Sequence, residues 1–235
     1  MAIADNLAGI RRRVADAARR SGRDPSDVTL VAVSKTFGPD AVREAWRAGQ
    51  RDFGENKVQE ALQKIAATAD MQMNWHLVGH LQSNKAKKAA GAFACIQSVD
   101  SVELIDRLDA AARALPPGRP APQVLIQVDL AGEPTKSGAP VDEAARCVEA
   151  GLRAGALRLA GLMLLPPWNE DQEKTRPWFV RLREFRDRLV RDGAPAGALK
   201  HLSMGMSHDF EAAIEEGATM VRVGTAIFGK REVRT

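Results

Sequence analysis

The 235-residue sequence has no tyrosine, only two cysteines, and aromatic residues at 5% of the total. Without tyrosine the chain offers no phenol for acid–base work. Cys95 and Cys147 have no Cys or His at metal-ligand spacing, so they read as reduced core residues and no metal is expected. No apolar run approaches the roughly 20 residues that a membrane span requires. The segment from Met1 to Asn6 lacks a basic stretch followed by an apolar one, so the expectation is a cytoplasmic protein without a secretory signal. Net charge is +4, with basic residues scattered over helix faces and not interleaved with aromatics, which argues against a nucleic-acid surface.

What is present is a regular alternation. A hydrophobic content of 45% is enough for one large domain with a proper core. Ile3, Leu7, Ile10, Val14 and Ala17 recur at helical spacing, so an amphipathic helix over 3–20 leads the chain. Strands are then expected at 28–33, 51–54, 75–79, 93–98, 122–130, 157–162, 199–202 and 219–223. Helices fall between them, one with Ser83 as its N-cap and one over 174–191 with Trp178, Leu182, Phe185 and Leu189 on its core face. The polar loop from Gly132 to Pro140 is too long for a tight turn and is a candidate functional segment. Strict strand–helix alternation argues parallel strands with right-handed crossovers. Eight units in 235 residues fit an α/β fold of the (β/α)8 TIM-barrel type, with an extra N-terminal helix and a single domain over 1–235.

The barrel rule places function at the carboxyl ends of the strands. Lys35, Asn56, His80, Met163, Ser203 and Arg222 all fall there or just beyond. Lys35 ends the apolar run from Val28 to Val33. An ammonium held against apolar surface loses hydration, which lowers its pKa below about 10.4 and yields the neutral amine that forms Schiff bases. The alternative is a solvated lysine at a strand end. Ser203–Ser207 and Gly224–Ala226 occupy the two loops that in barrels commonly bind phosphate; Ser207 and Gly224 could equally be an N-cap and a turn. Arg222, always charged and only a donor, could hold a ring nitrogen unprotonated or pair with a neighbouring strand.

Two apparent motifs fail. Gly224–Lys230 matches a P-loop for seven residues, but Arg231 stands where Ser or Thr is required. His76 and His80 would lie some 13 Å apart on an extended strand, too far to share zinc.

Ala32–Thr36, Phe53–Asn56, Trp75–Lys85, Gly161–Met163, Leu202–Ser207 and Val221–Gly229 together resemble the YggS/PROSC family of pyridoxal phosphate (PLP) homeostasis proteins. The resemblance implies a barrel like that at the N-terminus of alanine racemases. It implies that Lys35 holds PLP as an internal aldimine, that Ser203, Ser207, Gly224 and Thr225 surround the phosphate, that Arg222 faces the pyridine nitrogen, and that Asn56 lies near the cofactor. Met163, in the matching stretch, and His80 belong to the same expected site. The family pattern leads one to expect a smaller or polar residue after Met163, where this chain has Leu164 and Leu165.

Racemases of this kind use a tyrosine from a second domain as the opposing base; this chain has no tyrosine and stops at residue 235. An arginine at the pyridine nitrogen also weakens the ring as an electron sink. The expectation is a monomeric, non-catalytic PLP carrier that supplies apo-enzymes and supports vitamin B6 and amino-acid homeostasis. The alternatives are a PLP-dependent amino-acid racemase or lyase of weak activity, and a cofactor-free Schiff-base aldolase.

Overall fold

The computed structural model describes residues 2–132 and 137–229. Helix α1 (Ile3–Arg20) buries Leu7, Ile10, Val14, Ala17 and Ala18 on one stripe, as its period requires. Eight strands then form a closed ring: β1 (Thr29–Val33), β2 (Asp52–Glu55), β3 (Asn74–Leu77), β4 (Cys95–Val99), β5 (Gln123–Asp129), β7 (Arg158–Leu164), β8 (His201–Met206) and β9 (Met220–Val223). A two-residue strand, β6 (Ala139–Pro140), lies against the end of β5 outside the ring. All neighbours are parallel, and the pairings β1–β9 and β4–β5 close the barrel. Helices α2 (Pro39–Arg47), α3 (Val58–Ala67), α4 (Ala86–Ala92), α5 (Val102–Arg113), α6 (Val141–Arg153), α7 (Arg176–Arg191), α8 (Phe210–Glu215) and α9 (Thr225–Phe228) complete the alternation. This is the expected (β/α)8 barrel with a preceding helix.

Strand alternation divides the apolar residues into two layers. The outer layer, between strands and helices, contains Phe53, Leu104, Leu108, Phe179 and Phe210. A smaller inner cluster of Cys95, Leu125, Ala160, Met163 and Met220 fills the lumen. Fully burying one such side chain is worth about 1.5–3 kcal/mol. Both cysteines are free and buried.

The elements differ from expectation at several ends. β7 continues through Met163 and Leu164, where a break was expected; Pro166 and Pro167 stop it two residues later. β8 starts at His201 and runs to Met206, because Ala196–Leu199 turns as a 3-10 helix and the small residues Ser203 and Gly205 join the strand. Ser83 is not a cap: Ser83–Lys85 is itself a 3-10 turn before α4, with no side-chain capping bond. On α7, Phe179, Leu182 and Phe185 are buried while Trp178 and Leu189 are only partly covered, a rotation of the core face from the one expected. Of the Gly132–Pro140 loop, residues 133–136 lie outside the described residues, as do Lys230 and Arg231 of the P-loop-like stretch.

Candidate functional site

β1 ends at Val33, and Lys35 stands half-buried two residues past it. The backbone on both sides of Lys35 is tied down. Ser34 N donates to the Gly54 carbonyl at 3.0 Å, and Ser34 Oγ donates to Glu55 Oε1 at 2.6 Å. Lys64, buried on α3, donates to the Ser34 carbonyl at 2.8 Å, to Glu55 Oε1 at 2.6 Å and to Glu60 Oε1 at 3.0 Å. Glu60 Oε1 also accepts from Thr36 N at 2.6 Å. Thr36 has φ +72, a left-handed conformation that a β-branched residue rarely adopts. Such strain, about 1–3 kcal/mol, persists where surrounding contacts over-determine it. Burial pushes the Glu55 carboxyl up from its ordinary value, against the opposing pull of Lys64 and Ser34. Its Oε2 is buried with no hydrogen-bond partner among the described residues.

Arg222 projects from β9 into the lumen and is 4% exposed. Its Nη1 donates to Ser203 Oγ at 2.5 Å and its Nη2 to the Leu164 carbonyl at 2.8 Å. Burial lowers its pKa to about 10, partly offset by Asp209, so at neutral pH it remains a donor-only cation. Ser203 Oγ donates in turn to Gln97 Oε1 at 2.6 Å. Gln97 Nε2 lies 3.0 Å from His76 Nδ1, and His76 Nε2 lies 3.1 Å from Asp52 Oδ1. The Ser203 hydroxyl is therefore engaged inside the lumen with Arg222 and Gln97.

The two loops beyond β8 and β9 meet where Gly224 N donates to Ser207 Oγ at 3.2 Å. Asp209 Oδ1 accepts from Met206 N at 2.7 Å and fixes the turn after β8; burial pushes this carboxyl up. Gly205 has φ +90, and a Cβ there would lie 2.6 Å from that of Ala213, so a side chain is excluded twice over. Thr225, exposed, opens α9, which is docked on the β1–α2 turn by stacking of Phe228 on Phe37 at 5.3 Å.

Met163 is wholly buried in the inner cluster and Leu165 packs against that cluster, whereas Leu164 turns to the outer core between strands and helices, so only the second of the two leucines extends the apolar wall. Asn56, half-buried, directly follows β2; a Cβ on Gly79 would sit 2.3 Å from the Asn56 carbonyl oxygen, which only glycine permits. His80 is exposed at the rim, with Nδ1 3.5 Å from Asp100 Oδ2. Burial raises the Asp100 carboxyl, and His80 partly restrains it.

The nine candidates lie at different depths along and beyond the strands: Met163, Ser203 and Arg222 inside the lumen, Lys35, Asn56, Ser207 and Gly224 at its mouth, His80 and Thr225 on the rim. Sequence reasoning did not single out Glu55, Lys64, Gln97 or Asp52. For Gln97 a signal existed. It is a long polar residue two places after Cys95 within an expected strand, hence on the same face as that cysteine.

A family model described as alanine racemase, N-terminal domain, matches residues 6–232. A pyridoxal phosphate homeostasis protein of Pseudomonas aeruginosa is 45% identical over 230 residues, covering 98% of this chain and 96% of that one. Another, of Aquifex aeolicus, is 41% identical over 228 residues, covering 97% and 98%. The structure of PipY from Synechococcus elongatus with PLP bound aligns at a TM-score of 0.84 and 41% identity, over 97% of this chain and 100% of that one. Similarity of that extent means that the chain belongs to the alanine racemase N-terminal domain family and, within it, to the pyridoxal phosphate homeostasis proteins.

Proposed function

We propose that this chain binds PLP through Lys35 and serves as a carrier and buffer of the cofactor in vitamin B6 and amino-acid homeostasis, without robust catalysis of its own. The observation that carries the reading is the buried Arg222 guanidinium on β9, the strand that pairs with β1 and so neighbours Lys35. A cation buried this deeply, with Asp209 as the acid that acts on it, suits a ligand that brings an acceptor, as a pyridine ring does. Bound PLP supplies an aldehyde that condenses with an amine and a ring that can withdraw electrons. Lys35 would hold the aldehyde carbon, Arg222 the ring nitrogen, and Ser207, Gly224 and Thr225 the phosphate. Ser203 is assigned to hold Arg222, since its hydroxyl is spent on Arg222 and Gln97. Asn56 and Met163 line the pocket, and His80 stands at its rim.

The carrier reading over an enzyme rests on two features. The sequence has no tyrosine to serve as an opposing base, and general acid–base help is worth about 10²–10⁴ in rate. Arg222, with a pKa of about 10, keeps its proton beside a pyridine nitrogen and leaves the ring a poor electron sink. Among the described residues no helix is long and apolar enough to cross a membrane. We assign the protein to the cytoplasm as a monomer, one functional unit over residues 1–235, with PLP-dependent apo-enzymes as recipients.

The test is to load the protein with PLP, remove the excess, and split the sample between an apo-enzyme and free alanine. Recovery of the apo-enzyme's activity without steady racemisation of alanine is expected. Sustained turnover of an amino acid would replace the carrier with an enzyme.

A further inference from the structure

The lumen side chains form an unbroken line from the cofactor end of the barrel to its amino end: Arg222, Ser203, Gln97, His76, Asp52. The ends fix its sense. A guanidinium only donates and an ionised carboxylate only accepts. Ser203 accepts from Arg222 and passes its own proton to Gln97 Oε1. The amide must then give an N–H to His76 Nδ1, and His76 must be neutral with its proton on Nε2, facing Asp52. Every donor points the same way. Asp52 stands at the start of β2, partly exposed, beside a cavity of about 410 Å³ lined by Arg11, Gln50 and Arg51. The line therefore runs through the barrel to solvent.

We propose that Gln97 is a positioning residue for the cofactor: its amide couples the protonation of His76, near the amino end of the barrel, to the hydrogen bonding of Arg222 at the pyridine nitrogen. The proposal rests on the assignment of Arg222 to that nitrogen. Two arrangements pair both ends of the Gln97 amide along this line. In the first, described above, His76 is neutral. In the second, one proton from solvent has been added at Nδ1, His76 donates to both neighbours, and the Gln97 amide has turned over to accept from it. Ser203 Oγ then receives from Gln97 Nε2 as well as from Arg222, and its O–H, still bonded to Oγ, turns away from Gln97. No bond is made or broken beyond that one protonation. The amide has two discrete orientations, and no intermediate one pairs both of its ends.

Other charged groups act on the same line. Asp52 faces His76 from β2, and His76 in turn acts on His201 of β8, as Arg158 of β7 does. The Cys95 thiol of β4 is pushed up to about 12 by burial, then by Asp52, and stays neutral. Burial first, then Lys200, Arg158 and His76, hold His201 below its ordinary pKa. At the other end Asp209 acts on Arg222.

The experiment uses the loaded protein with PLP labelled with ¹⁵N in its ring, compared with Arg222→Gln, Gln97→Leu and Gln97→Glu. Borohydride reduction and mass analysis establish that each variant still links the cofactor at Lys35. Arg222→Gln should move the ring-nitrogen signal, and Gln97→Leu should move it too, although Gln97 is separated from Arg222 by Ser203. An unmoved signal in Arg222→Gln would remove the assignment of Arg222 beneath the proposal. A signal that moves in Arg222→Gln and stays at its wild-type position in both Gln97 variants would overturn the coupling alone. Long-range ¹H–¹⁵N spectra of wild-type His76 need no variant to fold. They should show the proton on Nε2 near neutral pH, and a proton on Nδ1 with a bare Nε2 would contradict the polarity argued here.

Discussion

Lys64 shows how the surroundings of Lys35 are held by a side chain buried away from it. Its ammonium is buried behind the end of β1 and gathers Glu55, Glu60 and the Ser34 carbonyl. Together with the Glu60–Thr36 bond these contacts hold the backbone on either side of Lys35, including the left-handed Thr36. Removing one member of a buried pair leaves a charge without compensation, at a cost of about 3–5 kcal/mol. Lys64→Met should therefore lose roughly that much stability in denaturant unfolding, and adding Glu55→Gln should restore most of it. A single variant as stable as wild type would show the cluster to be incidental. The sequence pointed to Lys35 and Arg222 because one falls just past a strand and the other on one, where a barrel places chemistry. Lys64 and Glu55 were not legible. One is a helix residue and the other follows a glycine at a strand end, and their meeting depends on how α3 packs over β2.

Among the elements, β8 departs furthest from its expected bounds, and the reason is chemical. Ser203-Met204-Gly205-Met206-Ser207 has the composition of a loop, yet Ser203 is held in the lumen by Arg222 and Gln97, and Gly205 lets α8 pack against the strand. Apolar strands such as β1 were legible because burial on both faces leaves a continuous run. A strand whose inward residues serve a polar line leaves no such run. At the start of β8, His201 Nδ1 lies 3.2 Å from Thr219 Oγ1, which also accepts from Leu202 N. Burial is the main reason His201 titrates below its ordinary value. Above about pH 6.5 the group is neutral folded or unfolded and its titration contributes nothing to the pH dependence. As pH falls below that, the unfolded chain takes up a proton that the folded one resists, and stability drops by up to about 1.4 kcal/mol per pH unit until the lowered native pKa is passed. His201→Gln should lose less stability than wild type between pH 7 and 5 in thermal unfolding. Parallel curves for the two proteins would contradict that sign.

On the scale of the whole molecule, closing the ring is what makes the site. Lys35 follows the first strand and Arg222 lies on the last, and they become neighbours only because β1 and β9 pair, Val31 opposite Arg222. Gly224, just past β9, approaches the end of β1 so closely that a Cβ on it would sit 3.2 Å from the Val33 carbonyl. Alternation of strands and helices was enough to read the barrel, and barrel geometry was enough to bring the two ends of the sequence together. It could not show how the lumen is wired, because that depends on the register of strands distant in sequence. We propose that this neighbourhood holds PLP on Lys35. The most direct measurement is to incubate the purified protein with PLP, reduce it with borohydride, and locate the modified peptide by mass, alongside Lys35→Ala. A pyridoxyl mass on Lys35, lost in the variant together with the visible absorption band, is the result expected. An adduct on another lysine, or a wild-type protein that takes up no PLP, would contradict it.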